Sequence, residues 1–226
     1  MANMHRVFVA GGTGYIGKRL IPALHARGHD VVALAREESR NKLSGTCTPV
    51  IGDALDGESY RRFVEGSDTF IQLVGVSHPS PAKAAQFRQI DLKAGLEAVR
   101  VARDAKVQHF IYVSVAQPAP VMQAYVEVRA ECEQAIRASG LAATVLRPWY
   151  VLGPGHLWPY CLLPLYKIAE LVPKTRASAL RLGLVTLQQM VQALLRAVEE
   201  PCENVCYVDV AQIRRSFNSL PNGEPT

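Results

Sequence analysis

The chain is poor in cysteine, and the cysteine it has is badly arranged for cross-links or metal. Five cysteines are scattered through 226 residues, at Cys47, Cys132, Cys161, Cys202 and Cys206. The odd number and irregular spacing exclude a disulfide framework. Cys202 and Cys206 stand close together, but no second pair and no nearby histidine completes a tetrahedral set, which excludes a zinc site. Nothing at the N-terminus reads as a secretory leader: Met1-Ala2-Asn3-Met4-His5-Arg6 leads straight into an apolar stretch. The expectation is a cytoplasmic protein with free thiols.

Long apolar runs are missing too. Leu157 to Val172 comes nearest, but Pro159, Pro164, Lys167 and Glu170 interrupt it, and a spanning helix needs about 20 apolar residues. No transmembrane segment is expected, and attachment of an amphipathic face to lipid is the weaker reading. Basic blocks are absent as well. The formal charge is +5, yet it is spread over pairs such as Arg61-Arg62 and Arg214-Arg215 with no nucleic-acid module around them. That pattern reads as a solvated basic surface and excludes nucleic acid as the expected partner. There is no internal repeat and no low-complexity segment. The length suits one large α/β domain, covering 1–226, with a small appendage at most.

What the chain does have is a glycine turn in the right place. Val7-Phe8-Val9-Ala10 is an apolar strand, Gly11-Gly12-Thr13-Gly14-Tyr15-Ile16-Gly17 follows, and Ile16, Leu20 and Leu24 then recur at helical spacing. Strand, glycine turn and helix are the context a dinucleotide fingerprint requires. Glycines permit the tight turn and let backbone approach a pyrophosphate at the positive helix end. Gly28 is the expected stop of that helix.

Asp30 to Ala35 reads as a second buried strand, ending at Arg36. In this kind of fold an acidic residue about 20 positions past the fingerprint holds the ribose of NAD, whereas arginine suits the 2′-phosphate of NADP. Arg36, with Arg40 and Lys42 close behind, points to NADP(H) as the preferred cofactor and NAD(H) as the alternative; Glu37 and Glu38 offer carboxylates to a ribose instead. Pro49 to Gly52 is a third strand. Asp53 and Ala54 follow it, and the Asp53 carboxylate suits either an adenine amino group or the cap of the next helix. Asp68 to Gly75 is a fourth strand, and Gly75 lets backbone come near a ligand. His78 sits in a proline loop and reads as surface. A long helix is expected over Phe87 to Ala102, a fifth strand over Val107 to Ser114, a helix from about Met122 to Ser139 stopped by Gly140, and a sixth strand over Ala143 to Pro148.

Alternating strands and helices imply a doubly wound parallel sheet with helices on both faces. Ligands in such sheets bind beyond the carboxyl ends of the strands, where Arg36, Asp53, Gly75 and Ser114 all fall. The last third differs. Trp149, Tyr150, His156, Trp158, Tyr160 and Tyr166 crowd one segment broken by prolines. Residues 149–185 are read as a small cap on the substrate side of the cleft; ordinary packing is the other reading. Thr186 and Gln189 form a capping-box pattern before an apolar helix, Asn204 to Val210 is a final strand, and the tail from Asn218 is expected to fray.

Taken together, Gly11 to Gly17, Gly52-Asp53, Tyr112-Val113-Ser114, Tyr125 with Arg129, and Leu146-Arg147-Pro148 resemble the short-chain dehydrogenase/reductase superfamily. The likeness is to its atypical NAD(P)-binding branch, related to nucleotide-sugar epimerases and dehydratases, and it covers roughly Arg6 to Val210. The resemblance implies a Rossmann-type fold and an oxidoreductase acting on a small carbonyl or alcohol. It implies cofactor contacts from Gly11, Thr13, Gly14, Tyr15, Ile16 and Gly17, and from Arg36, Asp53, Ala54, Leu73, Gly75, Ser114 and Pro148. It also implies catalytic roles for Ser114, which polarises the carbonyl, and Tyr125, the acid/base. The family's lysine four residues after the tyrosine is missing. Arg129 stands there, one helical turn on; it supplies positive charge but takes no part in a proton relay, because arginine does not deprotonate. Two further readings stay open: a dinucleotide-binding regulatory or assembly module with little turnover, and a nucleotide-sugar epimerase or dehydratase. The sequence names no substrate, partner or oligomeric state.

Overall fold

The computed structural model describes residues 4–119, 121–154 and 181–218. Its central sheet has seven parallel strands. They are β1 (Arg6–Ala10), β2 (Asp30–Ala35), β3 (Thr48–Ile51), β4 (Thr69–Gln72), β5 (His109–Val113), β6 (Ala143–Leu146) and, at the far edge, β9 (Val205–Val208). The spatial order is β3-β2-β1-β4-β5-β6-β9. The chain therefore winds one way from β1 to β3 and the other way from β4 onward, which is the Rossmann arrangement. Two short strands, β7 (Tyr150–Leu152) and β8 (Leu184–Thr186), pair in parallel as a separate sheet.

Strands buried on both faces read as continuous apolar runs, and here they divide their side chains between two cores. Val7 and Val9 face one core with Leu20, Leu24, Met190, Leu194 and Ile213. These come from α1 (Gly17–Ala26), α6 (Leu187–Glu199) and α7 (Val210–Asn218). Phe8 and Ala10 face the other core with Val64, Ala98, Val101, Cys132 and Ile136, from α2 (Arg61–Val64), α4 (Lys93–Asp104) and α5 (Gln123–Ser139). Phe8, Phe70 and Phe110 lie in register across β1, β4 and β5, with ring centroids 5.0 and 5.4 Å apart. Each such buried ring contributes about 1.5–3 kcal/mol by transfer from water.

Most helix ends follow the expected chemistry. Gly28, at φ +84, ends α1 by turning its amide back to the His25 carbonyl, 2.9 Å away. Gly140 ends α5 at φ +76. Thr186 and Gln189 form a reciprocal capping box at the start of α6. Several features differ from the sequence reading, among them α7, which begins at Val210 where the sequence pattern runs the final strand on. The long helix is not continuous: between α3 (Ala84–Gln86) and α4 it widens into a π turn over Phe87–Leu92. Asp53 does not cap a helix; its carboxylate accepts from the Leu55 amide at 2.9 Å, and Asp56 caps the following 3-10 turn. Cys202 and Cys206 are joined by a disulfide, with Cα atoms 6.3 Å apart, instead of being free thiols. The turn before β9 folds Cys202 back toward the strand that carries Cys206, a proximity that residue counting does not reveal. Cys47 and Cys132 are free. His156, Trp158, Tyr160, Tyr166 and Cys161, and the expected fraying from 219 onward, lie outside the described residues. No helix among the described residues is long and apolar enough to cross a membrane.

A candidate dinucleotide cleft

The cleft opens at the carboxyl ends of β1 and β4, where the winding direction reverses. Its volume is about 570 Å³. Gly11 makes the strand-to-loop turn at φ +90, and a Cβ there would lie 2.8 Å from the Leu73 carbonyl carbon and 2.9 Å from the Val74 nitrogen. Gly17 closes the loop on itself: its Cβ would come within 2.5 Å of the Gly11 carbonyl oxygen and 2.7 Å of Gly12 Cα. The Gly14 amide donates to the Gly11 carbonyl at 3.0 Å. This turn aims the N-terminus of α1 at the cleft with no acidic residue in the first helical turn. The positive end of the helix dipole is therefore left for an anion.

Gly11, Thr13, Gly14, Arg36, Asp53, Ala54, Leu73 and Gly75 all line the cleft. Of the other cofactor candidates, Tyr15 and Ile16 pack against the first core and Gly17 is buried behind the loop. Pro148 is buried beyond β6, where its carbonyl accepts from the Ala116 amide at 3.0 Å. Ser39, Lys42 and Lys83 line the cleft as well. Ser39 and Lys83 were not singled out from the sequence. The signal for Ser39 lay in its place three residues past Arg36, on the same 3-10 turn, Glu37–Lys42. Arg36 leans on Glu38 at 3.2 Å, with both side chains about two-thirds exposed (67% and 65%). An exposed pair of this kind is worth only about 0–1 kcal/mol, so the guanidinium is easily released. Lys83 donates to the Ser77 carbonyl at 2.6 Å. Three cations and one carboxylate, Asp53, thus border the cavity.

The three catalytic candidates are differently placed. Tyr125, half-buried near the start of α5, has its ring 5.0 Å from that of Phe87 and 4.9 Å from the Arg129 guanidinium carbon. No hydrogen bond to its hydroxyl is found among the described residues. Arg129 is buried, at 6% exposure. One end of its fork donates to Asp91 Oδ1 at 2.6 Å; the other donates to the Tyr112 hydroxyl at 3.1 Å and the Val113 carbonyl at 3.0 Å. Asp91 is delivered inward by the π turn, and its second oxygen accepts from the Val76 amide at 3.0 Å. Burial raises the Asp91 carboxyl above its ordinary value, while the guanidinium and the Val76 amide pull it back. Gly75 completes the arrangement: a Cβ there would lie 2.6 Å from Arg129 Nη2. The Asp91–Arg129 pair therefore stands directly behind the Gly75–Val76 wall of the cleft.

Ser114 follows β5, and its amide donates to the Leu146 carbonyl at 2.8 Å. Its hydroxyl donates to Glu133 Oε1 at 2.6 Å. Glu133 is buried on α5, two turns beyond Tyr125, and also accepts from Gln117 and Arg147 at 3.0 Å each. Structure thus brings Tyr125 and Arg129 together, while Ser114 is tied to a carboxylate that sequence reasoning passed over. The fingerprint loop also touches the base of the 149–185 segment: a Cβ at Gly153 would collide with the Tyr15 hydroxyl.

A parallel sheet wound in two directions, with a glycine cradle at the reversal, defines a Rossmann-type nucleotide-binding protein. The chain belongs to the NAD(P)H-binding family, whose model matches residues 11–154. It is 28% identical over 170 residues to a 4-hydroxy-2-methyl-3-oxo-4-farnesyl-3,4-dihydroquinoline-1-oxide ketoreductase of Stigmatella aurantiaca, covering 66% of this chain and 51% of that protein. It is 33% identical over 176 residues to a 3-diazoavenalumate denitrifying reductase of a Streptomyces species, covering 66% and 57%. The chain thus spans about half the length of these curated relatives. The solved structure of WbmH from Bordetella bronchiseptica, in complex with NAD⁺, shares the fold with a TM-score of 0.68 at 20% identity, over 98% of this chain and 85% of that one.

Proposed function

We propose that this chain is an NADP(H)-dependent reductase of a small carbonyl compound. The cleft carries the reading: a glycine cradle at the sheet reversal, with Arg36, Ser39 and Lys42 around the end of β2 where a 2′-phosphate would lie. The loop from Gly11 to Gly17 would hold the pyrophosphate at the helix end, and Asp53 would accept from the adenine amino group. Leu73 and Gly75 would form the wall beneath the ribose, with Asp91 and Arg129 fixing that wall from behind. When bound, the nicotinamide supplies a hydride to the carbonyl carbon.

The chain's own task is then to place the carbonyl and deliver one proton to its oxygen. Tyr125 is the proton donor in this reading. Its hydroxyl carries no protein partner among the described residues, and the Arg129 guanidinium lies 4.9 Å over its ring, which holds the side chain in place. Ser114 has given its hydrogen to Glu133, so it polarises a carbonyl only when that bond is exchanged. Residues 149–185 would cap the substrate, since β7 and β8 bring the two ends of that segment together beside the glycine loop.

The test is NADPH oxidation against aldehydes, ketones and quinones. Tyr125→Phe should lower the rate by about 10²–10⁴-fold, the usual worth of general acid/base help. A rate indifferent to the loss of that hydroxyl would contradict the assignment. The binding-module reading is favoured by one observation: the two terminal nitrogens of Arg129 and the Ser114 hydroxyl are already engaged with protein. A cofactor complex with Tyr125 turned away from the nicotinamide would select it.

A further inference from the structure

The far edge of the sheet carries a second chemical feature, remote in sequence from the cleft. Cys206 lies in β9, in register with Thr144 of β6, and Cys202 lies in the turn just before the strand. Their Cα atoms are 6.3 Å apart, inside the range of about 4.4–6.8 Å that a disulfide spans. Both residues are half-buried, so small thiols and disulfides can reach them. The other described cysteines differ. Cys132 is fully buried and Cys47 stands alone, and burial pushes both thiols up, away from the reactive thiolate. The Cys202–Cys206 bridge closes only a short turn. It is therefore no long-range staple, since stabilisation grows with the length of the loop closed.

The bridge is anchored in the strand on which part of the Ser114 network rests. Tyr207 follows Cys206 directly; its hydroxyl accepts from Arg137 at 2.6 Å, and its ring lies 4.0 Å under the Arg147 guanidinium. The Arg147 amide donates to the Val208 carbonyl at 2.9 Å, and its side chain donates to Glu133, which holds Ser114. We propose that Cys202 and Cys206 form a reversible thiol–disulfide couple, exchanged with low-molecular-weight disulfides, which sets how firmly β9 holds Arg147 and, through Glu133, Ser114.

The exchange balances as follows. One protein thiolate attacks the small disulfide, breaking its sulfur–sulfur bond and releasing one small thiol. The second protein thiolate then attacks the mixed disulfide, forming the protein bridge and releasing the other small thiol. The protein is oxidised by two electrons and gives up two protons, and the small disulfide is reduced to two thiols.

The test equilibrates the whole chain in buffers of graded oxidised to reduced glutathione. Differential alkylation with peptide mass spectrometry then reads Cys202 and Cys206, and hydrogen exchange reads β6 and β9. The pair should convert over the glutathione range, and reduction should speed exchange of the Arg147 amide by roughly tenfold, toward the low end of what so short a loop is worth. Cys202→Ser should exchange like the reduced protein under every buffer. Because the unmutated chain carries the primary readout, a variant that fails to fold does not decide the matter. A pair that stays bridged throughout, a pair that never bridges, or conversion that leaves β6 and β9 exchange unchanged would each overturn the proposal.

Discussion

Arg129 stands where the resemblance to short-chain dehydrogenase/reductases implies a lysine, and its surroundings show what an arginine there entails. A lysine offers a flexible point charge, whereas the planar guanidinium fork meets several acceptors at once. Here it spans Asp91, the Tyr112 hydroxyl and the Val113 carbonyl. Its charge is balanced by a buried carboxylate, so losing that partner leaves an uncompensated cation. Asp91→Asn should cost about 3–5 kcal/mol, as expected when one side of a buried pair is removed. Urea unfolding of the variant measures this; a loss below about 1 kcal/mol would place the pair in the exposed class. Gly17 makes a similar argument without charge. A Cβ 2.5 Å from the Gly11 carbonyl cannot be housed without reopening the turn. Gly17→Ala should therefore weaken dinucleotide binding by tenfold or more, about 1.4 kcal/mol, and calorimetric titration of the variant checks it.

At the scale of elements, the sequence was most legible where one residue type answers one geometric demand. Gly11 and Gly17 at the first turn, Gly28 and Gly140 at helix ends, and Thr186 with Gln189 before α6 are of that kind. Thr186→Ala should cost about 1 kcal/mol, the usual worth of an N-cap, read as a lower midpoint in urea. The π turn was illegible because Phe87, Ile90 and Ala94 keep an apolar helical rhythm, and only the tertiary pull of Arg129 on Asp91 reveals the widened turn. α7 did have a signal. Asp209 and Gln212 bond each other's backbone amides at 2.8 Å, the same spacing as the box at Thr186. Along the cleft, Arg36, Asp53 and Gly75 were readable because strand ends converge on one edge of a parallel sheet, whereas Leu73 came only with the family resemblance. Glu133 was not, since nothing in the local sequence distinguishes it from the solvated acids of α5. The cap is tested at this scale as well. If 149–185 closes the cleft, NADPH should change the fluorescence of Trp149 or Trp158, and the response should fall in at least one of the single Trp→Phe variants.

For the molecule as a whole, two buried histidines set a response to acid. His109 is 1% exposed, and burial, with a smaller contribution from His5, lowers its pKa from 6.5 to about 4. His29 is shifted the same way, chiefly by burial. Both are neutral in the fold, and the unfolded chain binds their protons more readily. Stability is therefore full above pH 6.5 and falls as pH drops from there toward 4. His109 alone should remove about 2 kcal/mol by pH 5. Unfolding midpoints between pH 7 and 5 check this, and His109→Asn should flatten the curve.

The whole account turns on what occupies the cleft between β1 and β4. Calorimetric titration of the chain with NADPH and with NADH tests that most directly. NADPH should bind more tightly, and Arg36→Ala should erase most of the difference. That difference should be roughly ten- to a hundredfold, because a hydrogen bond to a charged group is worth about 1.5–3 kcal/mol. Equal affinities for the two cofactors in the unmutated chain, or binding of neither, would contradict it.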